Sequence, residues 1–131
     1  MKILALTTDK QVIEYLSREE FLSEHKVHFS KENSNPLDIL SEYCTVKPSL
    51  LILDNDLMQS STLQILHSIK KIDKNVSTIF ITSDSSIELG REITPSGVQF
   101  YGIKPLEEKE FFDAINSIIQ MKLKFESNSL S

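Results

Sequence analysis

Four polar clusters in this sequence each stand directly after a short apolar run. Thr7, Thr8 and Asp9 follow Ile3–Leu6, and Asp54, Asn55 and Asp56 follow Leu50–Leu53. Thr82, Ser83 and Asp84 follow Thr78–Ile81, and Lys104-Pro105 comes shortly after Val98–Tyr101. The set offers carboxylates, hydroxyls and one ammonium. No histidine stands among them, which argues against a Ser/His or Cys/His hydrolase. No Walker A pattern or glycine-rich dinucleotide fingerprint is present, and Gly90, Gly97 and Gly102 are scattered. His25, His28 and His67 lie away from the clusters and are expected to be surface or half-buried side chains.

These clusters converge only if the apolar runs are strands of one sheet. Five such runs occur, the fifth being Val27–Phe29, and Leu50–Leu53 is apolar throughout, as in a strand covered on both faces. Helical patterns lie between them. The first spans about Lys10 to Phe21. The second opens at Asn35-Pro36, a cap followed by a proline at the first helical position. The third runs from about Ser61 to Ile72, and the fourth, Ser86 to Ile93, is stopped by Pro95 and Gly97. The fifth starts at Pro105 and turns Phe111, Phe112, Ile115, Ile118 and Ile119 inward. Strict alternation of strand and helix implies a parallel sheet with helices on both faces, a three-layer α/β/α sandwich. In such sheets ligands sit beyond the carboxyl ends of the strands, where the four clusters lie.

With that order in hand, the chain resembles the receiver domains of two-component response regulators (CheY-like). Pro48-Ser-Leu-Leu-Ile-Leu-Asp54 is similar to the strand that ends in the family's phosphate-accepting aspartate. Ile79-Phe-Ile-Thr82-Ser83 resembles the next strand with its switch hydroxyl. Gly97 to Lys104-Pro105 resembles the last, with Tyr101 three residues before the lysine. The resemblance covers about Lys2 to Leu123 and implies a five-stranded flavodoxin-like sheet in the order 2-1-3-4-5. It further implies that Asp54 is the nucleophile, that Lys104 and Thr82 bind phosphoryl oxygens, and that Thr82 and Tyr101 form the switch.

The resemblance also implies a Mg²⁺ site, with Asp54 and the backbone carbonyl of Asp56 as ligands and Asp9 within reach. Thr7 and Thr8 stand where the family has two acids, Thr8 at one usual metal position. Neutral hydroxyls are poor substitutes for carboxylates on a hard cation. Direct pairing of Lys104 with Asp54 and weak Mg²⁺ binding are therefore expected.

Composition is consistent with this class. The chain has 131 residues, 40% of them apolar, and suits one domain, expected over 1–125, with a polar tail over 126–131 expected to be frayed or a linker. Fourteen basic against 19 acidic residues argue against a nucleic-acid surface. Cys44 is the only cysteine and no membrane-length apolar run occurs, so a cytoplasmic protein is expected. The resemblance implies a phosphorelay role, with a histidine kinase or phosphotransfer protein upstream and an output domain or protein target downstream. The alternative is a pseudo-receiver that binds partners without phosphorylation. A flavodoxin-like FMN enzyme would need a glycine-bearing phosphate loop, which Thr7-Thr8-Asp9-Lys10 does not supply. Met121, Leu123 and Phe125 are expected to continue the last helix's core stripe or, if exposed, to meet a partner or a second copy.

Overall fold

In a computed structural model of the chain, the structure describes residues 1–30 and 35–130. Five strands, β1 (Lys2–Leu6), β2 (Lys26–Phe29), β3 (Leu50–Asp54), β4 (Ser77–Thr82) and β5 (Phe100–Ile103), form one parallel sheet in the order β2-β1-β3-β4-β5. Among the described residues, seven α-helices surround it: α1 (Lys10–Leu16), α2 (Glu19–Glu24), α3 (Pro36–Val46), α4 (Asn55–Met58), α5 (Thr62–Ile72), α6 (Ile87–Ile93) and α7 (Glu108–Leu130).

The central strands β3 and β4 are buried at every position. Their side chains alternate between two cores, as the two-residue period of a strand requires. Ile3, Ala5, Leu50, Ile52, Ile79 and Ile81 face α1 and α7, where Val12, Tyr15, Phe111, Ile115 and Ile118 meet them. Leu4, Leu6, Leu51, Leu53 and Phe80 face α3, α5 and α6. The sheet is clamped from both sides, so the ends of its strands are held in fixed register.

Local chemistry sets the helix starts. Asp9 caps α1 by accepting from the Val12 N–H at 3.0 Å. Asn35 and Asp38 make a reciprocal capping box on α3, with Pro36 beside it. Lys47 closes that helix in the left-handed region, at φ 52°. Ser86 caps α6 through the Leu89 N–H.

The structure corrects four sequence expectations. The single helix expected over Lys10–Phe21 is two, because Arg18 is extended between α1 and α2. Arg18 is held there by Glu108 and by the faces of Tyr15 and Phe112. The fifth strand lies two residues later than expected, because Gln99 bridges to the Thr78 backbone before pairing in β5 begins. The last helix starts at Glu108 rather than Pro105 and runs through Leu130, so the polar stretch expected to fray is helical up to that residue. Ser131 lies outside the described residues. Finally, burial along α7 ends near Ile118: Met121, Leu123 and Phe125 are 51%, 54% and 69% exposed. At 1.5 Å per residue, α7 is about 34 Å long, while a strand as short as β5 spans about 13 Å. The apolar stripe outruns the sheet that would cover it.

Candidate functional site

The carboxyl edge of the sheet gathers the polar clusters. Asp54 is the last residue of β3 and only 1% exposed. Its position follows from register, since Leu53 pairs with Leu6 and Asp54 with Ile81. Thr7, directly after Leu6, is therefore carried to its side. Lys104 follows Ile103, which pairs with Thr82, and its N–H donates to the Thr82 carbonyl at 2.8 Å. That bond fixes the root of the lysine beside β4.

From there the Lys104 ammonium reaches back across β4. It donates to Asp54 Oδ2 at 2.7 Å and to Asp56 Oδ2 at 3.0 Å, and lies 3.5 Å from Asp9 Oδ2. Burial alone would lower its pKa, but the hydrogen bonds and charges of Asp54 and Asp56 outweigh burial and raise it above the ordinary lysine value. Burial likewise works to raise the Asp56 pKa. The hydrogen bonds from Lys104 and Ser83 overcome it, leaving the carboxyl below its ordinary value.

Asp54 is held on both oxygens. The Asp56 N–H donates to Oδ1 at 2.9 Å. Thr7 donates its hydroxyl to Oδ2 at 2.5 Å, beside the Lys104 ammonium. Asp56 Oδ1 accepts from the Ser83 hydroxyl at 2.9 Å and its N–H at 3.3 Å. Thr82 is fully buried, its oxygen accepting from the Asp84 N–H at 3.0 Å and from Asn55 Nδ2 at 3.4 Å. Tyr101 stacks on Phe80, ring centroids 5.2 Å apart and planes 22° apart. Its hydroxyl is buried without a partner among the described residues. Burial, then the Asp84 charge, raises the Tyr101 pKa.

Asp54, Asp56, Asp9 and Lys104 thus meet in one cluster, with Thr82 linked to it through Asn55. Thr8 is exposed and Tyr101 packs on Phe80. Sequence patterning missed two contributors. Thr7 is a donor to Asp54, and Ser83 fastens Asp56 with two hydrogen bonds. The signal for Ser83 was a hydroxyl residue at a strand end, and Thr7 was legible only as a hydroxyl where the family has an acid.

The same sheet order and layering recur in known proteins. The chain folds as a CheY-like receiver domain. A CheY-like receiver domain protein from Methanospirillum hungatei superposes with a TM-score of 0.78 at 16% identity, over 94% of this chain and 96% of that one. The signal receiver domain of a DNA-binding response regulator from Colwellia psychrerythraea does so with a TM-score of 0.74 at 24% identity, over 92% and 98%. In sequence, the chain is 28% identical over 122 residues to sporulation initiation phosphotransferase F of Bacillus subtilis, covering 92% of this chain and 95% of that protein. It is 30% identical over 82 residues to the regulatory protein LuxO of Vibrio parahaemolyticus, covering 63% of this chain but only 18% of LuxO. No family model matches the sequence. Among the described residues, no helix is long and apolar enough to cross a membrane.

Proposed function

We propose that this receiver acts in a phosphorelay, with Asp54 accepting a phosphoryl group from the phosphohistidine of a histidine kinase or phosphotransfer protein. The observation that carries the reading is the Lys104 ammonium 2.7 Å from a buried aspartate at the end of a central strand. An Asp54 oxygen attacks phosphorus, the phosphorus–nitrogen bond breaks, and its electron pair stays on the imidazole. The protein's part is positioning and charge neutralisation. Lys104 pairs with a phosphoryl oxygen, and Thr82 supplies a second donor once its hydroxyl turns toward the new group. The added charge of about −1.5 to −2 is relayed through Thr82 and Tyr101 to the face formed by α6, β5 and α7, where an output domain or protein target reads it. The setting is cytoplasmic, and a second copy of the chain is one candidate for the reader.

The fold implies a Mg²⁺ ion, and the donors present do not fit one. Asp56 sits in the helical turn α4, and its N–H faces Asp54. Thr8 is exposed and neutral, and Asp9 spends one oxygen on capping α1. Among the described residues no group of three or more His, Cys, Asp or Glu is placed to hold a metal.

One observation favours a second reading, a pseudo-receiver that binds partners unmodified. Asp54 already accepts three hydrogen bonds, which leaves little of it free to attack. The two readings separate in one experiment. The protein is incubated with a small-molecule phosphodonor and its intact mass is recorded. The phosphorelay reading expects a gain of one phosphoryl group that Asp54→Asn abolishes; an unmodified wild type supports the pseudo-receiver.

A further inference from the structure

We propose that Thr7 is a positioning residue which, together with Lys104, holds Asp54 in place of a divalent cation and makes the pocket independent of one; its consequence for phosphoryl transfer rests on the acceptor reading above. Thr7 and Asp54 are each 1% exposed, so their contact is shielded from water. The direction of the bond is fixed. The Asp9 N–H donates to Thr7 Oγ1 at 3.0 Å, which commits the hydroxyl oxygen as acceptor and turns its proton toward Asp54. Oδ2 of Asp54 thereby receives a hydroxyl and an ammonium.

The remaining carboxylate oxygens of Asp9, Asp54 and Asp56 are engaged as well. Asp9 uses Oδ1 on the Val12 N–H and Oδ2 on Lys104. Asp56 uses Oδ1 on Ser83 and Oδ2 on Lys104. Asp54 uses Oδ1 on the Asp56 N–H. A small hard dication needs about six oxygens at about 2.0–2.1 Å in near-octahedral order. To bind here it would have to break several of these bonds and sit against the Lys104 charge. A neutral hydroxyl at residue 7 performs two tasks at once: it withholds a carboxylate ligand and it gives Asp54 a donor. When a phosphoryl group arrives, Thr7 and Lys104 are already aimed at the oxygen it attaches to, and their bonds pass to the phosphoryl oxygens.

The test is a Mg²⁺ titration of the full ¹⁵N-labelled chain, with Thr7→Ser, Thr7→Val and Thr7→Asp in parallel; the same spectra report whether each variant is folded. Wild type and Thr7→Ser are expected to show no saturable shift at Asp54, Asn55, Asp56 or Lys104 up to roughly 10 mM Mg²⁺. Thr7→Asp, which supplies an anionic ligand and removes the donor, gains one. Saturable binding at those residues in wild type overturns the proposal without any variant, and so does a folded Thr7→Asp that stays silent. In a phosphodonor assay, the wild-type rate is expected to be equal in Mg²⁺ and in EDTA. Thr7→Val falls by roughly 10²-fold and Thr7→Ser restores the rate. A rate that collapses in EDTA, or a serine variant as slow as valine, contradicts the assignment. If wild type accepts no phosphoryl group in either buffer, the acceptor reading fails, and the titration still decides what Thr7 does.

Discussion

Lys104 and Asp54 touch at 2.7 Å although the strands that carry them, β5 and β3, are separated by β4. The lysine crosses the end of β4 to place its ammonium among the carboxylates of Asp9, Asp54 and Asp56. Removing it leaves three like charges together, one of them fully desolvated. Lys104→Met should therefore destabilise the domain by about 3 kcal/mol at neutral pH, measured by urea unfolding. Adding Asp54→Asn should recover part of that loss, because the two residues are directly coupled. Additive effects would show that the pair contributes nothing jointly.

Acid should weaken the fold in two stages. Burial holds His25 below its ordinary value of 6.5, so the unfolded chain binds that proton more readily. Stability is then lost as pH falls from 6.5 through the lowered folded-state value. Asp56 is also held below its ordinary 3.8, and its contribution disappears as pH falls through its own lowered value. Lys104 acts at the other end: its raised pKa gives stability that is complete below 10.5 and lost as pH rises past the folded-state value. Unfolding midpoints recorded across pH should show the first acid stage vanish in His25→Phe and the second shrink in Asp56→Asn.

Tyr101 offers a cleaner separation of stability from switching. Its hydroxyl is buried without a partner among the described residues, a situation that costs stability. Tyr101→Phe keeps the stack on Phe80 and should raise stability by about 1 kcal/mol. Tyr101→Ala removes the ring and should lower it. A destabilised phenylalanine variant would mean that the hydroxyl is satisfied.

Much of this was legible in the sequence for physical reasons. Leu50–Leu53 and Thr78–Ile81 are apolar because both faces of the sheet are covered, so the residues after them had to lie at its carboxyl edge. Asp54 and Thr82 could be placed that way, and Lys104 by the lysine-proline step that follows the fifth apolar run. The break at Arg18 could not, because no glycine or proline marks it. It depends on Glu108 and Phe112, about ninety residues further on. The exposure of Leu123 and Phe125 was hidden too, since a helical stripe says which face is apolar and not how far the sheet beneath it extends. Thr7 could be located but not understood. Its type argued only that a metal ligand was missing, and its bond to Asp54 is visible only once β1 and β3 lie side by side.

The measurement that bears most directly on the function is chemical trapping of the acceptor. The chain is treated with a small-molecule phosphodonor, reduced with borohydride, and mapped by peptide mass spectrometry. An acyl phosphate on Asp54 is converted to homoserine, so homoserine at position 54 and nowhere else is the predicted result. No homoserine, or homoserine at Asp9 or Asp56 instead, would contradict the account.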